Sequence, residues 1–265
     1  MLDTSNRRAF VGRLGLFGLG AASSASFLAA CGSSTAPKSS ASSASGDQDI
    51  INAAATAEAL ASVMYDNIIN HSPAYAALGG EPDDQAYLVA GREQEAIHYA
   101  TLTGAGATPL TTTFYFPTGM FTDATYVTTI NTLITLEDAF IAAYLIGIRD
   151  LSTDSLKQLA GQIMGIEAEH RVLVRTIAND LNLNQTKGLS GVNESTLPPM
   201  HAANNIAFER TFSGQFKTIA DIVTALGPFT TPGASGFDST PFVFNTAANF
   251  YVTETPMVTL DTMTP

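Results

Sequence analysis

Two Glu-x-x-His tetrads are the parts of this chain best suited to chemistry. One pairs Glu95 with His98, and the other pairs Glu167 with His170. Because residues three apart on a helix lie on one face, each tetrad can present a carboxylate and an imidazole together. Two neutral imidazoles and several carboxylates are a donor set suited to iron, manganese or zinc. The spacing therefore predicts a metal site shared between helices.

Two single glutamates complete the proposed donor set. Glu58 and Glu137 each stand in the helical segment before a tetrad, and each falls in the middle of an apolar stripe with helical spacing. Four carboxylates would balance the charge of two divalent cations. A buried carboxylate without compensation costs on the order of several kcal/mol or stays protonated. Bound metal cations are the simplest way to compensate the negative charge of four such acids in a core.

The order Glu, Glu-x-x-His, Glu, Glu-x-x-His resembles the ferritin-like carboxylate proteins, which include bacterioferritin, rubrerythrin and manganese catalase. It is also similar to exported ferritin-like domains related to desiccation proteins, and the resemblance covers roughly residues 47–182. It implies an all-α, ferritin-like four-helix bundle with a long crossover between helices 2 and 3. By the same resemblance, Glu58 and Glu137 would be terminal ligands, Glu95 and Glu167 bridging ligands, and His98 and His170 the nitrogen ligands.

Tyr65 and Tyr144 each follow their single glutamate by seven residues, about two helical turns. Similar proteins often keep a tyrosine beside the metals, which implies a redox or supporting role. The alternative is an ordinary core aromatic with a satisfied hydroxyl, and the sequence leaves both interpretations open. Glu93 and Glu169, next to the proposed ligands, are expected to be solvated.

The connections fit such a bundle. A very short link at residues 149–153 makes the third and fourth helices antiparallel neighbours, with Ser152 or Thr153 as the N-cap. A short turn at residues 72–82 joins the first pair. Residues 103–122 are rich in Gly, Thr and Pro and could reach about 60 Å when extended, which is enough for the crossover.

The amino-terminal region resembles an export signal. Residues 6–11, Asn-Arg-Arg-Ala-Phe-Val, are similar to a twin-arginine motif and precede an apolar stretch at residues 14–30. Leu-Ala-Ala-Cys, ending at Cys31, is similar to a bacterial lipobox. We expect residues 1–30 to be a signal peptide and Cys31 to carry a lipid. An uncleaved signal anchor, or cleavage at another small residue, is the alternative.

The expected mature protein is acidic and tethered to a membrane on the periplasmic side of the cell envelope. Residues 31–46 are dominated by Ser and Ala and predict a flexible tether. Loss of Arg7, Arg8, Arg13 and Asp3 would change the net charge from -12 to -14. Such a charge argues against nucleic-acid binding. Cys31 is the only cysteine, so a rubredoxin-type electron-transfer site is excluded, which departs from rubrerythrin.

Residues 183–265 predict an irregular, aromatic-rich extension in which residues 215–226 form another helix. Its phenylalanines are expected to cover the bundle or a neighbouring subunit, and a recognition surface is the less favoured alternative. His71 and His201 lack comparable partners and are expected at the surface or in caps. Spacing gives no support for a further metal site at His201 and Glu209.

These patterns favour an exported, lipid-anchored protein with a dinuclear non-haem centre of two iron ions, or of manganese. The resemblance to ferritin-like proteins implies that it oxidises ferrous iron or reduces a small oxidant, oxygen or peroxide, in stress protection. A non-catalytic envelope scaffold or metal buffer and a di-manganese catalase-like enzyme are the alternatives. The sequence allows a homo-oligomer and carries no information on its symmetry.

Overall fold

Helices dominate the part of the chain that the computed structural model describes, residues 43–80, 82–183 and 216–245. A two-stranded sheet and short 3₁₀ turns account for the other regular structure in these ranges. The helices and strands, in chain order, are α1 (Ser43–His71), α2 (Pro73–Ala77), α3 (Pro82–Gly104), β1 (Thr113–Phe114), α4 (Val127–Asp150), α5 (Asp154–Asp180), α6 (Ile219–Thr230) and β2 (Phe242–Val243).

Side-chain caps fix several of the helix starts. Thr153 Oγ1 accepts a hydrogen bond from the Leu156 amide at 3.3 Å, which confirms the expected N-cap of α5. Ser72 caps α2 in the same way, with Pro73 in the first turn. Thr218 and Asp221 form a capping box at the start of α6. This box moves the start of α6 to residue 219, later than the predicted 215, and α6 continues past 226 to residue 230.

Helices α1, α3, α4 and α5 form a four-helix bundle, which confirms the predicted all-α, four-helix architecture. Helix α1 packs along α3, α4 packs along α5, and the two pairs meet mainly through α1 and α4. Contacts from Asp66 to Arg92 and from Glu58 to His98 show that α1 and α3 are antiparallel. Helices α1 and α4 are also antiparallel, because Glu58 lies before Tyr65 on α1 but its partner Tyr144 lies after Glu137, the partner of Tyr65, on α4. Helices α3 and α4 therefore run in the same direction.

Because α3 and α4 are parallel, the segment between them must return along the length of the bundle. Its first part is fixed on α1, where Asn52 Oδ1 accepts from the Thr108 amide at 2.6 Å and Thr56 Oγ1 accepts from the Leu110 amide at 2.9 Å. Asp47, also on α1, accepts from the Ser152 amide at 2.8 Å and so holds the turn between α4 and α5. Helix α1 thus anchors both connections.

The second part of the crossover pairs with the C-terminal segment. Strand β1 is antiparallel to β2, with Phe114 opposite Phe242, and Pro117 forms a bridge to Phe237. Around this pairing lies a cluster of edge-to-face aromatic rings with centroids 5.0–6.0 Å apart. The rings belong to Phe116, Phe121, Phe229, Phe237 and Phe242. The described phenylalanines of the extension therefore do cover the bundle.

Helix α4 is, among the described residues, long and apolar enough to cross a membrane by length and composition. Of its most apolar 18-residue stretch, 72% is buried inside the protein. The same helix carries Glu137 and Tyr144 toward the bundle interior, with exposures of 0% and 5%. Its apolar character is accounted for by this burial in the core.

The bundle core continues on both sides of the buried acids. A larger cluster extends toward the crossover and α6, and a smaller one lies where α1 begins, α4 ends and α5 begins. Beside the smaller cluster is an apolar cavity of about 30 Å³. Its walls include Ala54, Ala57, Leu102, Tyr144 and Ile222.

Several predicted features lie outside the described residues. These are the signal peptide at residues 1–30, the tether at 31–46 as far as residue 42, and much of the extension at 183–265. Helix α1 begins at Ser43, four residues before the predicted start of the bundle at residue 47.

Candidate metal centre

The six predicted ligands lie at the middle of the four long helices and face one another. Their exposed fractions are 7% for His98, 2% for His170 and 1% or less for the four glutamates. Helix α1 contributes Glu58 and helix α4 contributes Glu137. The remaining ligands come from the tetrads, which lie on α3 and α5. The structure therefore brings together all six residues that the sequence pattern selected.

One group of donors surrounds His98. Its Nδ1 lies 3.0 Å from Glu167 Oε1, 3.2 Å from Glu58 Oε2 and 3.6 Å from Glu95 Oε2. These four residues come from three helices and offer donor atoms that all lie within 4.8 Å of one another.

A second group surrounds His170. Its Nδ1 lies 2.9 Å from Glu95 Oε1, 3.3 Å from Glu167 Oε2 and 3.9 Å from Glu137 Oε2. Glu95 and Glu167 belong to both groups, and each directs one carboxylate oxygen at His98 and the other at His170. Glu58 and Glu137 each belong to one group only. Bridging roles for Glu95 and Glu167 would require sharing of this kind.

The donor spacing is compatible with bound metal. With metal–ligand bonds of about 2.0–2.2 Å, neighbouring ligands around one cation are about 3 Å apart, which is close to the shortest separations here. A single imidazole nitrogen cannot donate its one proton to three carboxylates. Both oxygens of Glu95, Oε2 of Glu137 and Oε1 of Glu167 are buried and accept no hydrogen bond within the described structure. Cations would satisfy these oxygens.

Burial and neighbouring charges strongly shift the pKa values of glutamates in the cluster. Burial raises the pKa of Glu58 and Glu137 well above the ordinary value, and the carboxylates of Glu95 and Glu167 raise both further. Burial also opposes ionisation of Glu95, but the His170 imidazolium outweighs it and holds the pKa of Glu95 below its usual range.

The pKa values of the two imidazoles are also raised, although burial alone would lower them. Although burial lowers the pKa of an imidazole, the Glu95 carboxylate and its neighbours raise the pKa of His170 to about 11. Burial is likewise outweighed at His98, whose pKa the Glu58 carboxylate and its neighbours raise well above the ordinary value. In the metal-free protein, protons on these side chains therefore compensate the buried negative charge, and they compete with any cation.

Tyr65 and Tyr144 form crossed hydrogen bonds to the single glutamates. Tyr65 on α1 donates to Glu137 Oε1 at 2.6 Å, and Tyr144 on α4 donates to Glu58 Oε1. Burial, followed by the adjacent glutamate, raises the pKa of both phenols, so each stays protonated and remains a donor. Each tyrosine thus orients the single glutamate on the opposite helix, and not the one on its own helix.

Two polar features of the site do not follow from the sequence pattern. His170 Nε2 lies 2.8 Å from Gln94 Oε1, so Nε2–H donates and Nδ1 is left facing the carboxylates. Directly after Glu137 and His170 in the chain, Asp138 and Arg171 form a buried ion pair with Nε–Oδ1 of 2.6 Å. The sequence signal for Gln94 is only its position before a tetrad, which by itself does not identify a contact.

The other candidate residues lie away from the cluster or outside the described residues. Glu169 is exposed, and Glu93 is partly exposed with its carboxylate 3.8 Å from Arg92. His71 is exposed in the last turn of α1. Outside the described residues lie Cys31, His201 and Glu209.

The fold and the site together define an all-α bundle protein with a buried carboxylate–histidine cluster compatible with a metal site. In comparisons with known proteins, the family model for the ferritin-like domain matches residues 46–180, about half of the chain. The chain therefore belongs to the ferritin-like domain family. Searches of curated proteins and of solved structures gave no match.

Proposed function

We propose that this protein holds two first-row divalent cations between its helices and uses them to oxidise ferrous iron or to reduce oxygen or peroxide. Iron is the favoured metal and manganese the alternative, since the ligand types suit both. The observation that carries the proposal is the pair of donor groups that share Glu95 and Glu167. Such sharing would bring two bound cations close enough to act as one centre.

The protein side chains would perform three tasks at this centre. The buried carboxylates neutralise the cations, and bound metal would supply the electrons that reduction of an oxidant needs. Tyr65 and Tyr144 hold the terminal glutamates by hydrogen bonds from their hydroxyls. The burial of all six ligands excludes bulk water, with His98 the most exposed of them at 7%. A small oxidant fits this degree of enclosure, whereas a macromolecular substrate does not.

The cellular setting of the proposal comes from the sequence alone. Twin-arginine signals direct folded proteins to export, so a centre loaded before export would reach the cell envelope intact. A lipid on Cys31 would then keep the acidic domain at a membrane, where stress protection is the proposed role. Mass spectrometry of natively exported protein tests this part, since it should find a chain that begins at lipid-modified Cys31.

Metal binding and turnover test the chemistry. Anaerobic titration with ferrous iron should show about two ions bound per chain. Addition of oxygen or peroxide should then give repeated consumption of ferrous iron or oxidant. A protein that binds both ions but reacts only once would be a metal buffer or scaffold. A protein that binds none would contradict the proposal, and oxygen release from peroxide by a manganese-loaded form would indicate a catalase-like enzyme.

A further inference from the structure

The two halves of the site repeat each other along the chain, but their imidazoles have different surroundings. In this repeat Glu58, Glu95 and His98 correspond to Glu137, Glu167 and His170. His170 is fixed through Nε2 by Gln94, the residue directly before Glu95. The corresponding residue before Glu167 is Ile166, whose side chain cannot accept a hydrogen bond. Among the described residues, His98 forms no hydrogen bond through Nε2.

We propose that Gln94 is a positioning residue that makes the two metal positions unequal. The position built around His170 and Glu137 fills first and holds its cation more tightly. The position built around His98 and Glu58 fills second and exchanges its cation more readily. This inference rests on the proposed function, because it requires that the cluster binds metal.

The reason is the effect of an outer hydrogen bond on a ligating imidazole. Gln94 Oε1 holds a proton on Nε2 of His170, so a cation that displaces the Nδ1 proton meets a correctly directed lone pair, and the same hydrogen bond fixes the plane of the ring. Such a partner raises the basicity of the ligand and typically changes metal affinity by about 10–100-fold. His98 must adopt its ligating tautomer and orientation without this contact.

Packing around the two imidazoles also favours tighter binding at the His170 position. The Tyr65 ring contacts His170 edge-on, with centroids 5.8 Å apart, and the Asp138–Arg171 ion pair ties α4 to α5 one residue beyond Glu137 and His170. On the other side, Tyr144 lines the apolar cavity of about 30 Å³ and holds Glu58. His98 is exposed by 7%, against 2% for His170. The His170 position is therefore the more rigidly built of the two.

Stepwise titration with Co²⁺, followed by absorption spectroscopy and calorimetry, tests the inference without any activity measurement. The wild-type protein should show two resolved binding steps. Gln94→Leu should weaken the tighter step by about 10–100-fold, so that the two steps merge. Gln94→Glu retains an acceptor oxygen and should retain the tighter step. Gln162→Leu, on the exposed face of α5, is the matched control and should change neither step.

A gain-of-function variant keeps the test decisive if Gln94→Leu fails to fold. Ile166→Gln places an amide at the position that corresponds to Gln94 in the repeat, and we expect it to give His98 a partner and strengthen the weaker step. A single unresolved step in the wild type, unchanged steps in Gln94→Leu, or no effect of Ile166→Gln in a folded protein would each overturn the inference. Two cations bound with no dependence on residue 94 would leave the proposed function standing. Absence of any binding would instead remove the proposed function.

Discussion

At the scale of single residues, the central feature is a concentration of buried carboxylates that have too few hydrogen-bond donors for all their oxygens. Glu95 is fully buried, and neither of its oxygens accepts a hydrogen bond within the described structure. Such groups are retained at a cost in stability, which is typical of functional sites. Each of the four glutamates should therefore matter more for metal binding than for folding.

Glu95→Gln separates these two effects. The amide keeps the size of the side chain but removes the charge that would bridge the cations, so the number of bound cations should fall from about two to one or none. The melting temperature of the metal-free protein should stay the same or rise, because a buried carboxyl group is lost. Elemental analysis and calorimetry check both parts. Glu93→Gln, two residues earlier and partly exposed, should affect neither, and full occupancy in Glu95→Gln would show that the ligand assignment is wrong.

Metal affinity should rise with pH, because cations must displace protons. The pKa of His170 is raised to about 11, and those of His98, Glu58 and Glu137 are also raised, so in the metal-free protein these groups bind protons at neutral pH. Lower pH strengthens this competition. Calorimetric titration in buffers of different ionisation enthalpy should detect release of about two protons or more per loaded chain. Affinity that is independent of pH between about 5 and 8 would contradict this account.

At this scale much of the site could be predicted from sequence, because helical spacing alone determines which residues share a face. The six inward ligands follow from that rule. Contacts between helices do not, since they depend on how one helix is shifted along another. The hydrogen bond from His170 to Gln94 and the crossed hydrogen bonds of Tyr65 and Tyr144 are contacts between helices of this type.

At the scale of elements, close packing of α1 against α3 controls the position of one tyrosine. A Cβ atom on Gly91 would lie 3.0 Å from Cε1 of Tyr65, which is tighter than ordinary contact. Glycine therefore allows the Tyr65 ring to lie against α3 with its hydroxyl at Glu137. Gly91 therefore couples the packing of α1 against α3 to the orientation of Glu137.

Gly91→Ala should destabilise the protein by about 1 kcal/mol, because overpacking outweighs the gain in helix propensity. Displacement of Tyr65 should also weaken cation binding at the Glu137 position. Gly165→Ala, in α5, should instead stabilise by about 0.4–1 kcal/mol, because an added Cβ there would meet no atom within 4 Å. Thermal melts of both variants compare the two effects. Equal stabilisation by both substitutions would show that Tyr65 does not depend on Gly91.

The short elements are the hardest to predict. Strands β1 and β2 have two residues each, too few for an alternating pattern to identify them, and their partners lie far apart in the chain. The predicted limits of helix α6 differ from the observed ones, because the capping box at Thr218 sets its start at residue 219 and the helix continues through Pro228 to residue 230. Local caps and distant pairing, which an apolar stripe does not encode, set these boundaries.

At the scale of the whole molecule, the aromatic cluster joins the crossover to the C-terminal segment. Phe116 is 1% exposed and its ring contacts Phe121, Phe229 and Phe242. The Phe244 ring also packs on Tyr99 of α3, with centroids 4.6 Å apart. The extension is therefore an integral part of the domain wherever the structure describes it.

Phe116→Ala should lower the free energy of unfolding by about 3–5 kcal/mol, since it opens a cavity at the centre of this cluster. The loop at residues 231–241 should become sensitive to limited proteolysis before the bundle does. Leu110→Ala, on a side chain that is 63% exposed in the same crossover, should leave both measurements unchanged. Resistance of the Phe116→Ala loop to protease would indicate that the extension is held by other contacts.

The pairing of β1 with β2 also has a consequence for biosynthesis. The ribosome makes residue 114 well over a hundred positions before residue 242, its partner in the sheet. Until that late stretch emerges, the nascent chain has no strand to cover the rings around Phe116. Final closure of this part of the core must then wait until residues 242 and 243 have been translated.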